Sequence, residues 1–277
     1  MTVGPRVGAG HLDASPLPFT PRVGTFVGMS RADPLDPELL LRAYAMGVFP
    51  MADDRDAAST YWVEPKWRAV MPLDCFHLSR SLKRTIARDR FRVTTDRAFE
   101  AVIALCAESA EDRPNTWINA AIERAFVDLH AAGFAHSVEC WDGDELVGGL
   151  YGLALGRAFF GESMVSRRSD ASKVAFAWLV ARLNAGGFTL LDCQFQTDHL
   201  ASLGAVEISR DDYMALLGSA LGDSSAGLAS GSPSVDGDWS ALDRLGAADP
   251  LAPEPSSSPP SGKVIAQLLG KMSNSGC

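Results

Sequence analysis

The chain has 277 residues, 47% of them hydrophobic, with 25 basic and 34 acidic side chains and a formal net charge of −9. That length can bury a substantial core in one or two domains, while no apolar run approaches the roughly 20 residues of a bilayer span and the N-terminus lacks the apolar centre of a signal peptide. A cytoplasmic, monomeric protein with no membrane partner is the expectation. The five cysteines form no C-x-x-C pair and the histidines have no ligand spacing, which predicts reduced thiols and no metal site.

Residues 1–33 carry Gly and Pro without periodicity and read as an irregular lead-in. A mainly helical N-terminal domain is expected over 34–110. Its first helix follows Asp36, whose side chain can cap orphan amides, with Pro37 in the first helical position and Gly47 at the C-terminal end. Further helices are predicted over 79–89, 96–107 and 119–132. Between residues 66 and 92 lie Lys66, Arg68, Arg80, Lys83, Arg84, Arg88, Arg90 and Arg92, opposed only by Asp74 and Asp89. Lys83 and Arg84 fall on the 79–89 helix and could meet an RNA backbone, against the plain alternative of a solvated face.

From Phe134 the pattern changes to strands, over 135–141, 145–155 and 157–164, with an Asp142-Gly143-Asp144 turn. The run Phe159-Phe160-Gly161-Glu162-Ser163-Met164 is followed by a helix over 171–183 and by Leu190-Leu191-Asp192-Cys193-Gln194. In a strand, alternate side chains share a face, so Asp192 and Gln194 point one way and Cys193 the other. An Asp-x-Gln closing an apolar strand costs free energy unless it is hydrogen-bonded, which marks either a satisfied buried network or a working site. Beyond 217 the composition turns to Gly, Ser, Ala, Pro and Asp, predicting a disordered low-complexity tail over 218–277. Within it Val264, Ile265, Leu268, Leu269 and Met272 could share one face of a short, weakly structured terminal helix.

From Leu40 to about Leu217 the sequence resembles the leucyl/phenylalanyl-tRNA–protein transferase family. The resemblance rests on Ala43-Tyr44-Ala45-Met46-Gly47-Val48-Phe49-Pro50, Phe76-His77-Leu78-Ser79-Arg80-Ser81-Leu82, Thr116-Trp117-Ile118, His136-Ser137-Val138-Glu139, Gly148-Gly149-Leu150-Tyr151-Gly152, Phe160-Gly161-Glu162-Ser163-Met164, Ala171-Ser172-Lys173, Asp192-Cys193-Gln194 and Ser202-Leu203-Gly204-Ala205. Their shared order makes it specific. It implies an α/β (α+β) fold: an acetyltransferase-like mixed-sheet catalytic domain over 111–217, preceded by the smaller helical domain. It also implies an aminoacyltransferase of the leucyltransferase type. Such an enzyme moves Leu or Phe, with Met a further candidate, from an aminoacyl-tRNA donor to the N-terminal amine of a protein beginning with Arg or Lys, which marks that protein for degradation.

The resemblance carries residue roles with it. Asp192 and Gln194 match the catalytic pair, the carboxylate polarising the amide and the Gln oxygen orienting the amine. Glu162 matches the acidic residue that pairs with the acceptor's basic side chain. Leu150, Phe159, Met164, Phe176, Leu179, Leu183 and Leu191 match an apolar pocket for the transferred side chain, and are otherwise simply core. Trp117 matches an aromatic that stacks on the terminal adenine, while Met51 stands where the family often has a second stacking Trp. No cofactor is expected. The loop Val165-Ser166-Arg167-Arg168-Ser169-Asp170-Ala171 contains none of the glycines that cradle coenzyme A pyrophosphate, and its two arginines could face RNA phosphate or solvent.

Overall fold

The computed structural model describes residues 27–28, 35–108, 116–222, 236–246 and 260–272. Helix α1 (Pro37–Ala45) begins as its caps dictate: Asp36 Oδ1 accepts from the Glu38 amide at 3.1 Å, and Gly47 beyond its end takes φ 76°. Helix α2 (Arg80–Ala87) is capped by Ser79 and α4 (Ala120–Ala131) by Asn119. Helix α3 (Phe99–Ala107) starts three residues later than the expected 96. Asp96 takes φ 56° and its carboxylate accepts instead from the Ser137 amide and Trp239 Nε1, both at 2.8 Å, so it is unavailable as a cap.

Strands β6 (Ala135–Asp142), β7 (Glu145–Leu155) and β8 (Ala158–Ser166) form an antiparallel meander as their alternation predicts. Helix α5 (Ala171–Ala185) then crosses over, and β9 (Leu190–Gln194) returns parallel to β8. Helix is the larger share of the first part, as expected, but strands were not expected there. That part contains β2 (Phe49–Met51), β3 (Tyr61–Val63), β4 (Trp67–Val70) and β5 (Arg92–Thr95), each too short to declare a period of two. Strands β4 and β5 join the central sheet, whose order is β10-β4-β9-β8-β7-β6-β5 with β10 at Val206–Ser209, so this sheet spans the expected boundary at 110. A second sheet, β1-β3-β2, adds β1 (Val27–Gly28) from the lead-in. The rest of the lead-in lies outside the described residues.

Helices cover both faces of the central sheet. Helix α5 lies on one face and is itself covered by α2, by α8 (Ala241–Gly246) and by α9 (Gly262–Met272), which is why nearly every residue from Ala171 to Leu183 is buried. Its approach to β7 requires Gly148, where an added Cβ would lie 2.6 Å from the Cβ of Ala171. Helices α1, α3, α4 and α7 (Arg210–Leu221) cover the opposite face, while α6 (Asp198–Ser202) sends Leu200 into the α5 side.

The expectation of a disordered tail is corrected for the two segments described within it. Helix α7 runs past 217, and residues 236–246 and 260–272 pack on the body. Ile265, Ala266 and Leu269 of α9 are buried against α2 and α5, whereas Val264 is 39% exposed, so the docked face is rotated from the expected one. The α9 amide of Gly262 donates to Asp89 Oδ1 at 2.6 Å, which caps the helix. Residues 223–235, 247–259 and 273–277, and the side chain of Met272, lie outside the described residues.

Candidate active site

Two irregularities build the site. Opposite β7, Tyr151 pairs with Ser163 and Gly152 with Gly161, so Glu162 is the extra residue of a bulge in β8. Opposite β4, Val70 pairs with Asp192 and Ala69 with Gln194, so Cys193 is the extra residue in β9, and Gln194 takes the left-handed φ of 60°. The parallel pairing of β8 with β9 ends at Phe160 and Asp192. Glu162 and Gln194 follow immediately, where the strands' C-terminal ends stop pairing.

Asp192 is fully buried and its carboxylate is saturated with donors. Arg68 Nε and Nη2 donate at 2.9 and 2.6 Å, the Tyr213 hydroxyl at 2.9 Å, and the Gln194 backbone amide at 2.8 Å. The Arg68 guanidinium lies 4.6 Å from the ring centroids of Phe49 and of Tyr213, and Nη1 donates to the Gly47 carbonyl at 3.2 Å. Burial opposes the Arg68 charge, but the Asp192 carboxylate outweighs it and holds the guanidinium firmly protonated. Burial first, and then the Asp192 charge, push the Tyr213 hydroxyl upward, so it stays a donor.

The Gln194 side chain turns elsewhere. Its Nε2 donates to Glu162 Oε1 at 2.8 Å, and among the described residues its carbonyl oxygen accepts no hydrogen bond. The expected polarisation of that amide by Asp192 is therefore corrected: Asp192 holds the Gln194 main chain and Glu162 holds its side chain. Glu162 is 7% exposed, and burial, reinforced by the Asp192 charge, pushes its carboxyl up to about 8 against the opposing pull of Tyr44, Gln194 and Arg68. Its Oε2 and the nearby Tyr44 hydroxyl are buried; Tyr44 is close enough to favour the ionised carboxyl, though neither atom reaches full hydrogen-bond geometry with a partner among the described residues. Cys193 points to the α5 face, where burial raises its thiol far above the thiolate range, so it is inert as a nucleophile.

The seven apolar pocket candidates all gather on that α5 face. Leu150, Phe159, Phe176, Leu179, Leu183 and Leu191 are buried to 3% or less, and Met164 is partly exposed. They meet the polar network through their neighbours in sequence, Met164 beyond Glu162 and Leu191 before Asp192. Met51 and Trp117 are brought together as well: the amide of Ala52 donates to the Trp117 carbonyl at 3.1 Å, and both side chains are half-buried. Lys83 and Arg84 are exposed on α2, far from this network in the fold and on the other face of the sheet.

Four other basic residues have carboxylate partners. Arg68 is in the core, Arg90 pairs with Asp142 at 2.8 Å, Arg167 pairs with Glu108 and Arg168 with Glu145 at 3.1 Å. Arg68, Tyr213 and Tyr44 were missed as site residues; a lone Arg inside the short apolar stretch Trp67–Val70 was the available signal. Cys106, Cys140 and Cys193 are in no disulfide, but Cys75 is disulfide-bonded, which corrects the expectation of reduced thiols for that residue. Among the described residues no cluster of His, Cys, Asp or Glu could hold a metal ion, and no helix is long and apolar enough to cross a membrane.

A mixed sheet with helices on both faces, a positioned amide at the open ends of its parallel strands, and, among the described residues, no activated nucleophile beside it define a site suited to direct transfer of an already activated acyl group. Residues 70–218 match the family model of the leucyl/phenylalanyl-tRNA protein transferases, and residues 33–66 match the model of that family's N-terminal domain. The chain belongs to the leucyl/phenylalanyl-tRNA–protein transferase family. It is 61% identical over 246 residues to a leucyl/phenylalanyl-tRNA–protein transferase of Rhizorhabdus wittichii, covering 86% of this chain and 99% of the relative. A transferase of the same name from Zymomonas mobilis is 60% identical over 211 residues, 76% of each chain. Among solved structures, L-PGS from Bacillus licheniformis is similar at a TM-score of 0.36 and 12% identity over 64% of this chain and 57% of that one, too distant to bear on function.

Proposed function

We propose that the protein transfers Leu or Phe, and also Met, from aminoacyl-tRNA to the α-amine of proteins that begin with Arg or Lys, marking them for N-terminal-residue-dependent degradation. The observation that carries this reading beyond the family is the Gln194 amide, fixed through Nε2 by Glu162 with its oxygen unoccupied. That oxygen can accept from an amine and aim its lone pair, which is positioning rather than proton abstraction. An α-amine has a pKa of about 7.7–8.0, so a sizeable neutral fraction exists near neutral pH. Attack forms the C–N bond and breaks the ester C–O bond, and the amine's proton ends on the departing ribose hydroxyl. No acyl-enzyme is required.

The remaining residues divide the work of binding. The Oε2 of Glu162, with the Tyr44 hydroxyl nearby, is a buried acceptor for the guanidinium or ammonium of the acceptor's first residue. Asp192 and Arg68 act from behind, holding the Gln194 backbone in its left-handed conformation. The seven apolar residues take the transferred side chain, with the pliable Met164 at the mouth. Trp117 and Met51 hold the terminal adenine between them, and Lys83 with Arg84 meets the tRNA backbone.

The test is incubation with a mixed aminoacyl-tRNA pool and Arg-, Lys- and Ala-starting peptides, read by mass spectrometry. Addition of Leu, Phe or Met to the first two is expected. Equal addition to the Ala peptide, or consumption of an acyl-coenzyme A in its place, overturns the reading.

A further inference from the structure

We propose that Trp239, in the segment 236–246 beyond the main body of the sheet, is a specificity-determining residue that sets the depth of the aminoacyl pocket by bracing Phe159. The proposal rests on the reading of Phe159 as a pocket wall. The indole of Trp239 lies parallel to the Phe159 ring, with centroids 5.4 Å apart and planes 8° apart. Phe159 also rests on Gly152, where an added Cβ would come within 2.4 Å of its ring. The ring thus has a backbone contact that admits no side chain and an aromatic contact supplied by the C-terminal segment.

That contact is built rather than incidental. Trp239 Nε1 donates to Asp96 Oδ2 at 2.8 Å, and its ring stacks on His136 at 4.3 Å. Its carbonyl accepts from Arg182 Nη1 at 2.6 Å, and the same fully buried guanidinium is held by Asp243 at 2.7 and 2.6 Å. Backbone bonds from Gly237 to the Gly156 carbonyl and from Asp238 to the Gly186 carbonyl, each 2.9 Å, fasten the preceding residues across the β7–β8 turn and the end of α5. Arg182 precedes the pocket residue Leu183, so the strap grips the pocket on both the sheet and the helix side.

The experiment compares kcat/KM for Phe-tRNA and Leu-tRNA in full-length protein with an Arg-starting peptide. Trp239→Ala frees the Phe159 ring to swing into the vacated space. The deeper pocket should raise the Phe-to-Leu ratio by about tenfold, the scale of a pocket change of a methylene or more. Trp239→Phe keeps the flat contact and should leave the ratio within about twofold of the starting value. If the Ala variant does not fold, Trp239→Leu, which keeps apolar bulk without a stacking face, must shift the ratio in the same direction. Equal losses for both donors would make Trp239 purely structural and overturn the proposal. Phe159→Leu separates the two readings: a shifted ratio there with an unshifted one at Trp239 sinks the strap alone, whereas no shift in a folded Phe159→Leu protein sinks the pocket assignment itself.

Discussion

Arg68 and Asp192, 124 positions apart, meet through Nε–Oδ1 and Nη2–Oδ2 contacts of 2.9 and 2.6 Å with both side chains withdrawn from solvent. A buried pair of this kind is structural before it is catalytic. Removing one partner strands the other charge in the core, at a cost of about 3–5 kcal/mol. Asp192→Asn and Arg68→Met should each therefore lower the urea midpoint sharply, and the double variant by less than the sum of the two. Gln194→Ala leaves that pair intact and should lower kcat by at least about tenfold while lowering stability less than Asp192→Asn, since it removes the contact with the attacking amine and only the Nε2 bond to Glu162. Additive losses in the double variant, or wild-type turnover in Gln194→Ala, count against this division of labour.

Glu162 couples stability to selectivity through one proton. Burial pushes its carboxyl up to about 8 in the folded protein, above the ordinary carboxyl range, so the folded state holds its proton more tightly than the unfolded one. The associated stability is fully present below about pH 4.5 and is lost as pH rises to about 8, an effect of roughly a few kcal/mol. Glu162→Gln should accordingly melt higher than wild type at pH 8.5 and alike at pH 4.5. Acceptor choice should run the opposite way. The ionised carboxylate binds a guanidinium, so the preference for Arg- over Ala-starting peptides should grow from pH 6 to 8 and then level. Deprotonation of the α-amine cancels in that ratio. A preference that ignores pH, or one that survives in Glu162→Gln, removes Glu162 from acceptor recognition.

Much of the site could be read from alternation along β8 and β9, and the rest was hidden by register. Cys193 does point away from Asp192, but the bulge at Cys193 breaks the strict alternation expected beyond it: Asp192 and Gln194 stand opposite the adjacent residues Val70 and Ala69, and Gln194 takes a left-handed φ. The pairs Tyr151–Ser163 and Gly152–Gly161, which make Glu162 a bulge, likewise depend on a partner strand that no single segment specifies. Arg68 reads as one of eight clustered basic residues until β4 is seen to pair with β9. The helices with good caps, α1, α2 and α4, were found close to their true ends. The four-residue strands β4 and β5 carry too few side chains to show a period. Trp239 and Asp243 lie in a Gly-, Ser- and Asp-rich stretch whose average composition predicts disorder, and a single aromatic and a single carboxylate with buried partners outweigh that average.

The tail segments should therefore matter to folding. Asp243→Ala leaves the Arg182 guanidinium, 1% exposed, with only Thr95 and the Trp239 carbonyl, and should cost about 1–3 kcal/mol. A chain ending at residue 222 also loses the buried Leu242, Ile265 and Leu269, each worth about 1.5–3 kcal/mol. Such a chain should melt well below the full-length protein. Matching calorimetric melts for the two would show the segments to be accessory.

Lys83 and Arg84 offer a test of donor binding that the rest of the site does not confound. Both are exposed on α2, and neither makes an ion pair among the described residues. Their replacement should spare the core residues Leu82 and Ile86 on the same helix. Lys83 lies beside Gly270 near the end of α9, whose terminal carbonyls favour a cation, so reversing its charge costs at most about 1 kcal/mol. If both residues neutralise phosphates, Lys83→Glu with Arg84→Glu should weaken tRNA binding and flatten the plot of log affinity against log salt. On duplex RNA treated as B-DNA, the slope should fall by about 0.9 per lost contact. Affinity for the Arg-starting peptide should be unchanged, because Glu162 lies on the other side of the sheet from α2. An unaltered salt slope in a normally folded double variant would assign these two cations to an ordinary solvated face and move the tRNA path elsewhere on the molecule.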